Sequence, residues 1–326
     1  MTILDLFSGI GGFSKAFENI KGSSHQHYFS EVDKYAIAVY QKQFPNAINL
    51  GDITKINIVT LPNIDYLFAG FPCTDLSISK SNRQGLEGTR SGLFWEAIKI
   101  WKHIKPKFYI FENVASMAEK DKDIISETLG VQPILINSAL VSAQQRKRYY
   151  WTNIQNIKQP GDKHIQLKDI LESEDTDRIK SLCITTTYPK RGSIYEYKKR
   201  QRKIIFEKTN QIGYIGSTNS QGNRIYSIEG KSVTLSAQGG GGGAKTGLYA
   251  IAPTKNNYIK EEYTIRKLSP IECCRLQTFP DNWNETGLFN KNGTVIELSI
   301  SNTQRLKQLG NAVTVAVIED ILKTNH

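Results

Sequence analysis

Residues with chemically useful side chains follow directly on short apolar runs of the sequence. Cys73 comes after a proline behind the apolar run 64–69, and Glu112 comes directly after the run 108–111. A cysteine on such a loop is placed for nucleophilic attack, and a carboxyl group at a strand end can exchange a proton with a heterocycle nitrogen. From the residues alone, a buried structural cysteine and a helix-capping or surface acid remain open alternatives.

A glycine-rich turn at residues 9–12 suits a ligand that carries an adenosyl group. Its glycines let the backbone approach a ligand, and the start of the following helix favours negative groups. A dinucleotide fingerprint needs a third glycine where Ser14 stands, so a nucleoside without a pyrophosphate fits at least as well. Glu31 and Asp52 close two further strand-like runs, where an acid can accept hydrogen bonds from a ribose hydroxyl or an adenine amino group.

The elements that must position these residues alternate between strand-like and helix-like patterns. The alternation predicts an α/β fold in which a parallel sheet carries helices on both faces. Polar clusters at strand carboxyl ends then lie at the edge where such sheets bind ligands. Arg146 and Arg148 have the i, i+2 spacing of one strand face, which suits contact with a carbonyl or a phosphate, with a charged strand edge as the alternative. The strand-like runs are residues 2–7, 28–31, 64–69 and 108–111, and the helix-like segments are residues 13–19, 34–44 and 312–321.

The composition favours a partner that is an acidic polymer. The 326 residues include 42 Lys and Arg against 31 Asp and Glu, a formal net charge of +11. No apolar run approaches the roughly 20 residues of a membrane span, and no signal peptide is visible. The four cysteines lack CxxC spacing, which argues against a zinc site and a disulfide scaffold and for a reducing compartment. We therefore expect a cytoplasmic protein without a membrane partner or a metal.

The composition changes beyond about residue 173. Residues 173–223 are polar and basic, and residues 239–243 are five consecutive glycines. We interpret residues 180–262 as a separate, less regular domain, with a long solvated insertion as the alternative. The basic run 198–203 suits a phosphate-binding or merely solvated face better than a base reader.

Eight short motifs follow one another along nearly the whole chain. They are DLFSGIGGF, FSEVD, GDIT, GFPC, ENV, QQRKR, RKLSPIECCRLQTFPD and QLGNAV. In content and order they resemble the cytosine-C5 DNA methyltransferase family. QGNRIYS and VTLSAQGGGGGAKTGLY are similar to bacterial restriction-modification members of the HhaI type, whereas residues 112–151 are also similar to the animal de novo members. The resemblance implies a Rossmann-like sheet that binds S-adenosylmethionine, plus a smaller, irregular target-recognition domain.

The resemblance assigns the chemistry to four side chains. Cys73 matches the nucleophile that adds to C6 of cytosine and makes C5 electron-rich. Glu112 matches the acid that hydrogen-bonds N3 and the exocyclic amine. Arg148 matches the residue that holds O2, and Arg146 matches its companion near the nucleophile. The implied cofactor is S-adenosylmethionine, the product is S-adenosylhomocysteine, and the scheme requires no metal.

The cofactor pocket of the family maps onto several separate segments. Phe7 matches the ring that stacks on adenine, Glu31 the ribose ligand and Asp52 the ligand of the adenine amine. Val32 departs from the pattern because many relatives carry a tryptophan there, which bears on how tightly the cofactor stacks. The resemblance also implies that the start of a C-terminal helix folds back beside the first motif. The implied cofactor-binding set is Phe7, Gly9, Ile10, Gly11, Gly12, Glu31, Val32, Asp52, Ile53, Gly70, Pro72, Leu93, Asn311, Ala312 and Val313.

The implied substrate is a cytosine inside double-stranded DNA, which must be flipped out of the duplex. Gln221 and Ser79 match positions that fill the vacated space, and Arg224 is placed to read guanine in the major groove. The resemblance to the HhaI-type recognition segment suggests a short GC-containing site such as GCGC or GCNGC, although Gln238 replaces the tyrosine that precedes the glycines there. The implied DNA-binding set is Ser77, Ser79, Gln221, Arg224, Thr234, Ser236 and Gly240.

The resemblance also implies a division of the chain and a set of partners. Residues 1–180 and 300–326 form a discontinuous catalytic domain, residues 181–262 a target-recognition domain and residues 263–299 a hinge. We expect a monomer, with a dimer as the alternative that the similarity to the de novo members leaves open. We expect it to be encoded by a bacterium or a phage and to act on bacterial DNA, with a cognate restriction endonuclease as a further partner.

Three other functions compete with this interpretation. A tRNA methyltransferase of the same fold would carry a CFT signature, which does not occur here. An inactive DNA-binding relative would lack the nucleophile or the acid, and both are present. A nicotinamide dehydrogenase is disfavoured by Ser14 and by everything after residue 70.

Overall fold

The structure, a computed structural model, describes seven stretches of the chain. Among the helices of these stretches, none is both long and apolar enough to cross a membrane. The described residues are 1–72, 92–172, 211–214, 224–228, 230–235, 248–251 and 264–324.

A seven-stranded sheet forms the centre of the molecule. Its order is β3-β2-β1-β4-β5-β7-β6, with β7 antiparallel to both neighbours and every other pair parallel. Near-continuous apolar strands such as β1 and β4 fit a sheet that is buried on both faces. The strands are β1 (Thr2–Leu6), β2 (Gln26–Ser30), β3 (Ile48–Asn49), β4 (Tyr66–Gly70), β5 (Phe108–Val114), β6 (Ile134–Asn137) and β7 (Lys147–Thr152).

Helices cover both faces of this sheet. Successive side chains of a strand point to opposite faces, so Ile3 joins the apolar cluster with α1, α2 and α7, whereas Leu4 joins the cluster with α3 and α4. The expected α/β class is thereby confirmed. The helices are α1 (Gly12–Lys21), α2 (Lys34–Gln43), α3 (Leu93–Ile104), α4 (Glu119–Leu129), α5 (Pro270–Leu276), α6 (Asn302–Asn311) and α7 (Val315–Lys323).

A second, four-stranded sheet has the order β11-β10-β9-β8. Three of its strands lie in the predicted target-recognition domain, and β11 lies in the predicted hinge. Residues 231–235 join this region to the segment just before β7, because Ser232 N donates to Ala143 O at 2.6 Å and Gln145 N donates to Ser232 O at 2.9 Å. The strands are β8 (Gln211–Tyr214), β9 (Arg224–Ser227), β10 (Leu248–Ile251) and β11 (Thr264–Arg266).

The predicted hinge also contains an antiparallel hairpin, β12 (Thr286–Lys291) with β13 (Thr294–Ser299). Asn292 and Gly293 form its turn with φ values of 52° and 85°, which matches the preference of two-residue hairpin turns for Asn-Gly. Gly287 packs on α2 so closely that a Cβ there would lie 2.8 Å from Ala38 Cβ. The Asn-Gly pair is the local sequence signal for this hairpin.

Three local predictions need correction. Glu112 does not follow a strand that ends at residue 111, because pairing with β7 carries β5 on to Val114. The predicted helix over residues 312–321 begins only at Val315, since Ala312 and Thr314 have extended backbones with ψ values of 154° and 113°. Asn311 therefore ends α6 instead of starting the last helix, and Arg146 lies just before β7.

Candidate active site

The turn after β1 lies at the carboxyl edge of the sheet and has an unusual backbone. Phe7 and Gly9 have φ values of 56° and 54°, and Gly11 has a φ of 83°. A positive φ is uncommon for a non-glycine residue such as Phe7. Gly11 N donates to Ser8 O at 2.9 Å, and Trp283 Nε1 donates to Ile10 O at 2.9 Å, so hydrogen bonds hold the turn from two sides.

The glycines of this turn meet different surroundings. A Cβ on Gly11 would lie 2.6 Å from Phe44 Cε2, and a Cβ on Gly12 would lie 2.7 Å from Val313 Cγ2. Packing therefore requires glycine at both positions, and Val313 brings the segment before α7 against the first motif. A Cβ on Gly9 would meet no atom within 4 Å, so the turn presents open space at that position.

Glu31, at the end of β2, is tied to the turn through its carboxylate. Oε2 accepts from Gly9 N at 2.9 Å, and Oε1 accepts from Val32 N at 2.7 Å and from Asp33 N at 2.8 Å. An ionised carboxylate offers roughly four acceptor positions, so about one remains for a ligand hydroxyl. Val32 beside it is 71% exposed and can cover an apolar ring.

Asp52 is positioned by the short 3₁₀ turn Ile53–Lys55. Its Oδ1 accepts from Thr54 N at 3.0 Å and from Thr54 Oγ1 at 2.9 Å, and these two hydrogen bonds lower the pKa of the carboxyl group. Oδ2 takes part in neither bond. Ile53 is buried in the same apolar cluster that Phe7 and Leu93 join at its margin. A carboxylate beside an apolar floor fits the amine and the ring of an adenine.

Glu112 and Arg148 form an ion pair across the sheet. Arg148 Nε lies 2.9 Å from Glu112 Oε1, and the two side chains are 12% and 10% exposed. Gly70 pairs with Glu112 from the other side, and a Cβ on Gly70 would lie 3.8 Å from Glu112 Oε2. Arg148 thus places a cation directly beside a carboxyl group that is nearly buried. Burial also raises the pKa of Tyr150, the partner of Glu112 on β7.

Asn113 is a residue that the sequence analysis did not assign to the site. Its buried amide Nδ2 donates to Phe71 O at 3.1 Å, and its Oδ1 accepts from Val114 N at 2.7 Å. Phe71 and Pro72 lead directly into Cys73, so Asn113 fixes the backbone that approaches the predicted nucleophile. Its place in the quoted ENV motif was the available signal.

Arg146 holds three backbone segments together. Its guanidinium donates to Leu235 O at 3.1 Å, to Gly310 O at 3.3 Å and to Ala312 O at 2.8 Å. The residue is 3% exposed. Arg146 and Arg148 are thus placed differently, one inside the junction of the segments and one on Glu112. The companionship of Arg146 with the nucleophile stays a prediction.

Two of the predicted DNA-binding residues can be placed. Arg224 begins β9 and forms a hydrogen bond with Tyr226. Burial raises the pKa of Tyr226, and this hydrogen bond offsets part of the increase. Thr234 Oγ1 donates to the carbonyl oxygen of Gln145, two residues before Lys147 opens β7. The predictions for Cys73, Ser77, Ser79, Gln221, Ser236 and Gly240 lie outside the described residues.

Comparison with known proteins gives consistent matches along the chain. A family model described as C-5 cytosine-specific DNA methylase matches residues 1–325. The type II methyltransferase M.HhaI of Haemophilus parahaemolyticus is 32% identical over 344 residues, covering 98% of this chain and 93% of the relative. The orphan methyltransferase M.SPRI of Bacillus phage SPR is 27% identical, with 99% and 97% covered.

Solved structures agree at the level of the fold. The Entamoeba histolytica methyltransferase EhMeth superposes with a TM-score of 0.65 at 16% identity, covering 99% of this chain and 97% of that structure. At this identity the likeness carries the fold alone. The assignment of family and activity rests on the family model and on the relatives that match along nearly the full length. The chain belongs to the C-5 cytosine-specific DNA methylase family and is a DNA cytosine-C5 methyltransferase.

Proposed function

We propose that the protein methylates one cytosine of a short sequence in duplex DNA, with S-adenosylmethionine as the methyl donor and Cys73 as the nucleophile. The observation that carries this proposal is the buried Glu112–Arg148 ion pair beside Gly70, at the start of the segment leading to Cys73. An acid and a cation held together near the start of the segment that leads to the proposed nucleophile suit a heterocycle that is protonated and held while it is attacked.

The residues at the neighbouring strand ends fit the proposed donor. The open space at Gly9 admits a ligand against the backbone, and the remaining acceptor position of Glu31 suits a ribose hydroxyl. Asp52 Oδ2 suits the adenine amine, and Phe7 and Val32 offer apolar surface for the ring. When bound there, S-adenosylmethionine supplies an electrophilic methyl group for C5.

The proposed roles of the chain's own residues follow from the chemistry of cytosine. The Cys73 thiolate forms a bond to C6 and moves the electron pair of the C5–C6 double bond toward N3. Glu112 hydrogen-bonds N3 and the exocyclic amine as charge develops there, and Arg148 holds O2. After C5 gains its methyl group, loss of the C5 proton restores the double bond and expels Cys73.

Recognition is proposed to come from residues 181–262, with residues 1–180 and 300–326 as the catalytic domain and residues 263–299 as the hinge. The net charge of +11 supports binding to a phosphate backbone. Gln221 and Ser79 would fill the space of the flipped base, and Arg224 would read a guanine in a GCGC- or GCNGC-type site. The bonds of residues 231–235 to residues 143–145 support transmission of this contact to β7.

We further propose a monomer, because one flipped cytosine needs one active site. The bacterial and phage origin of the relatives supports a bacterial or phage enzyme that acts on bacterial DNA. A cognate restriction endonuclease is the further partner that we propose.

The test is expression in a host that lacks cytosine methylation, followed by bisulfite sequencing, with Cys73→Ser as the control. We expect methylation at one short GC-containing motif, absent from the control. Methylated tRNA together with unmethylated DNA would show that the substrate is RNA and not DNA. Methylation that persists in Cys73→Ser would refute the assigned nucleophile.

A further inference from the structure

A cluster of three side chains on the amino side of β2 has no part in the proposed methyl transfer. Glu18 lies in the last turns of α1, His27 lies in β2, and His25 directly precedes that strand. Glu31 lies four positions after His27, which is about 13 Å along a strand at 3.3 Å per residue. The cluster is therefore distinct from the donor residues at the carboxyl edge.

The ligand atoms of the cluster converge on one point. His25 Nε2 and His27 Nε2 lie 2.5 Å apart, and Glu18 Oε1 lies 4.0 Å from His27 Nε2. One nitrogen or oxygen from each of the three residues lies within 4.8 Å of the others. The imidazole rings stack with their centroids 4.3 Å apart, between Phe17 on one side and Phe44 on the other.

We propose that Glu18, His25 and His27 bind one divalent transition-metal ion of the zinc class, with solvent completing its coordination. Imidazole nitrogens and a carboxylate oxygen are ligands that zinc accepts, at about 2.0–2.2 Å. Two nitrogens on one tetrahedral ion are about 3.4 Å apart at such bond lengths, so the rings need to separate by less than about 1 Å. Glu18, whose side chain is 24% exposed, has to swing inward.

The two rings can adjust to an ion. Among the described residues, His27 Nδ1 is buried without a hydrogen-bond partner, so no hydrogen bond at that atom opposes a small shift of the ring.

An ion at this place would join α1 to β2. The chain connects the two elements through residues 22–25, and α1 begins at Gly12 in the glycine-rich turn after β1. A ligand that binds only the folded chain stabilises it in proportion to the logarithm of its concentration over its dissociation constant. The inferred role is therefore structural. The i, i+2 spacing of His25 and His27 is the signal for it in the sequence.

The test uses the full-length chain without a polyhistidine tag, stripped with a chelator and titrated with Zn²⁺ by calorimetry. Co²⁺ serves as a second probe because its visible absorption reports the coordination. We expect one ion per chain, and affinities reduced about tenfold or more in His25→Gln and Glu18→Gln. His164→Gln is the matched control, because His164 is an exposed histidine elsewhere.

Melting temperatures complete the test. Zn²⁺ is expected to raise the melting temperature of the unaltered chain and of His164→Gln, and to raise that of Glu18→Gln by less. Glu18 is partly exposed on α1, so this variant keeps the test decisive even where replacement of the buried His27 prevents folding. The proposal is overturned by the absence of saturable binding, or by binding that both ligand variants leave unchanged.

Discussion

Replacing Arg146 with methionine removes a guanidinium that three backbone carbonyls share. The side chain is 3% exposed and makes its described hydrogen bonds to Leu235, Gly310 and Ala312. Methionine is also long and unbranched, so it fills much of the same space without donating a hydrogen bond. We expect the variant to lose stability. Any fall in its methylation rate should follow mainly from that lost stability and not from a missing catalytic group.

The magnitude follows from the carbonyls that lose a donor. Ala312 O also accepts from Gln277 Nε2 at 3.2 Å and keeps that partner. Leu235 O and Gly310 O lose the arginine, and a buried polar group left unpaired costs about 1–3 kcal/mol. The expected loss in the free energy of unfolding is therefore about 2–6 kcal/mol.

The matched variant is Arg148→Lys, which keeps a positive charge beside Glu112 but lacks the planar guanidinium. Its stability is expected to stay near that of the unaltered chain, while its methylation rate falls about tenfold to a hundredfold through misplacement of the base. Urea unfolding followed by circular dichroism measures the first quantity, and methyl incorporation into DNA measures the second. An Arg146→Met variant that unfolds like the parent yet has lost methylation would refute this reasoning and place Arg146 in the chemistry.

Three further perturbations test the site and its frame. Gly9→Ala is expected to weaken S-adenosylhomocysteine binding about tenfold in calorimetry. The left-handed φ of 54° should cost only about 1–2 kcal/mol in stability. Unchanged binding would contradict the proposed donor site. Asn113→Ala is expected to lower kcat about tenfold with little change in KM for DNA, because the Phe71 carbonyl loses its donor; an unchanged kcat would exclude this positioning role. Burial opposes ionisation of Asp33, but its hydrogen bond from Lys307 and those from two α2 amides lower its pKa below the ordinary 3.8. Asp33 therefore adds to the free energy of unfolding above pH 3.8, and this addition is lost as the pH falls through the lowered pKa. The difference in free energy of unfolding between the parent and Asp33→Ala, measured in urea, should narrow in acid.

The sequence was informative where local pattern decides the structure. β1 and β4 are buried on both faces, so each leaves an uninterrupted apolar run whose end can be located. The glycine turn, Glu31 and Asp52 then fall at the carboxyl edge through the geometry of parallel strands alone. Those placements needed no knowledge of distant contacts.

Long-range pairing decided the rest. Glu112 lies inside β5 because β7 pairs with it from about forty residues further along, and nothing local marks that extension. The spacing of Arg146 and Arg148 suggested a shared strand face, yet the partners of Arg146 come from residues 235, 310 and 312. Such partners depend on the closure of the whole fold, which residue types near position 146 do not encode.

The contact between Gly12 and Val313 sets an order for biosynthesis. A ribosome adds about 5–20 residues per second, so roughly 15–60 s pass between the synthesis of the two residues. During that interval the nascent chain has its glycine turn but not the wall that Val313 builds against it. The proposed donor pocket is thus completed late in translation, and on that proposal an unfinished chain is poorly equipped to hold a methyl donor before the predicted DNA-recognition residues exist.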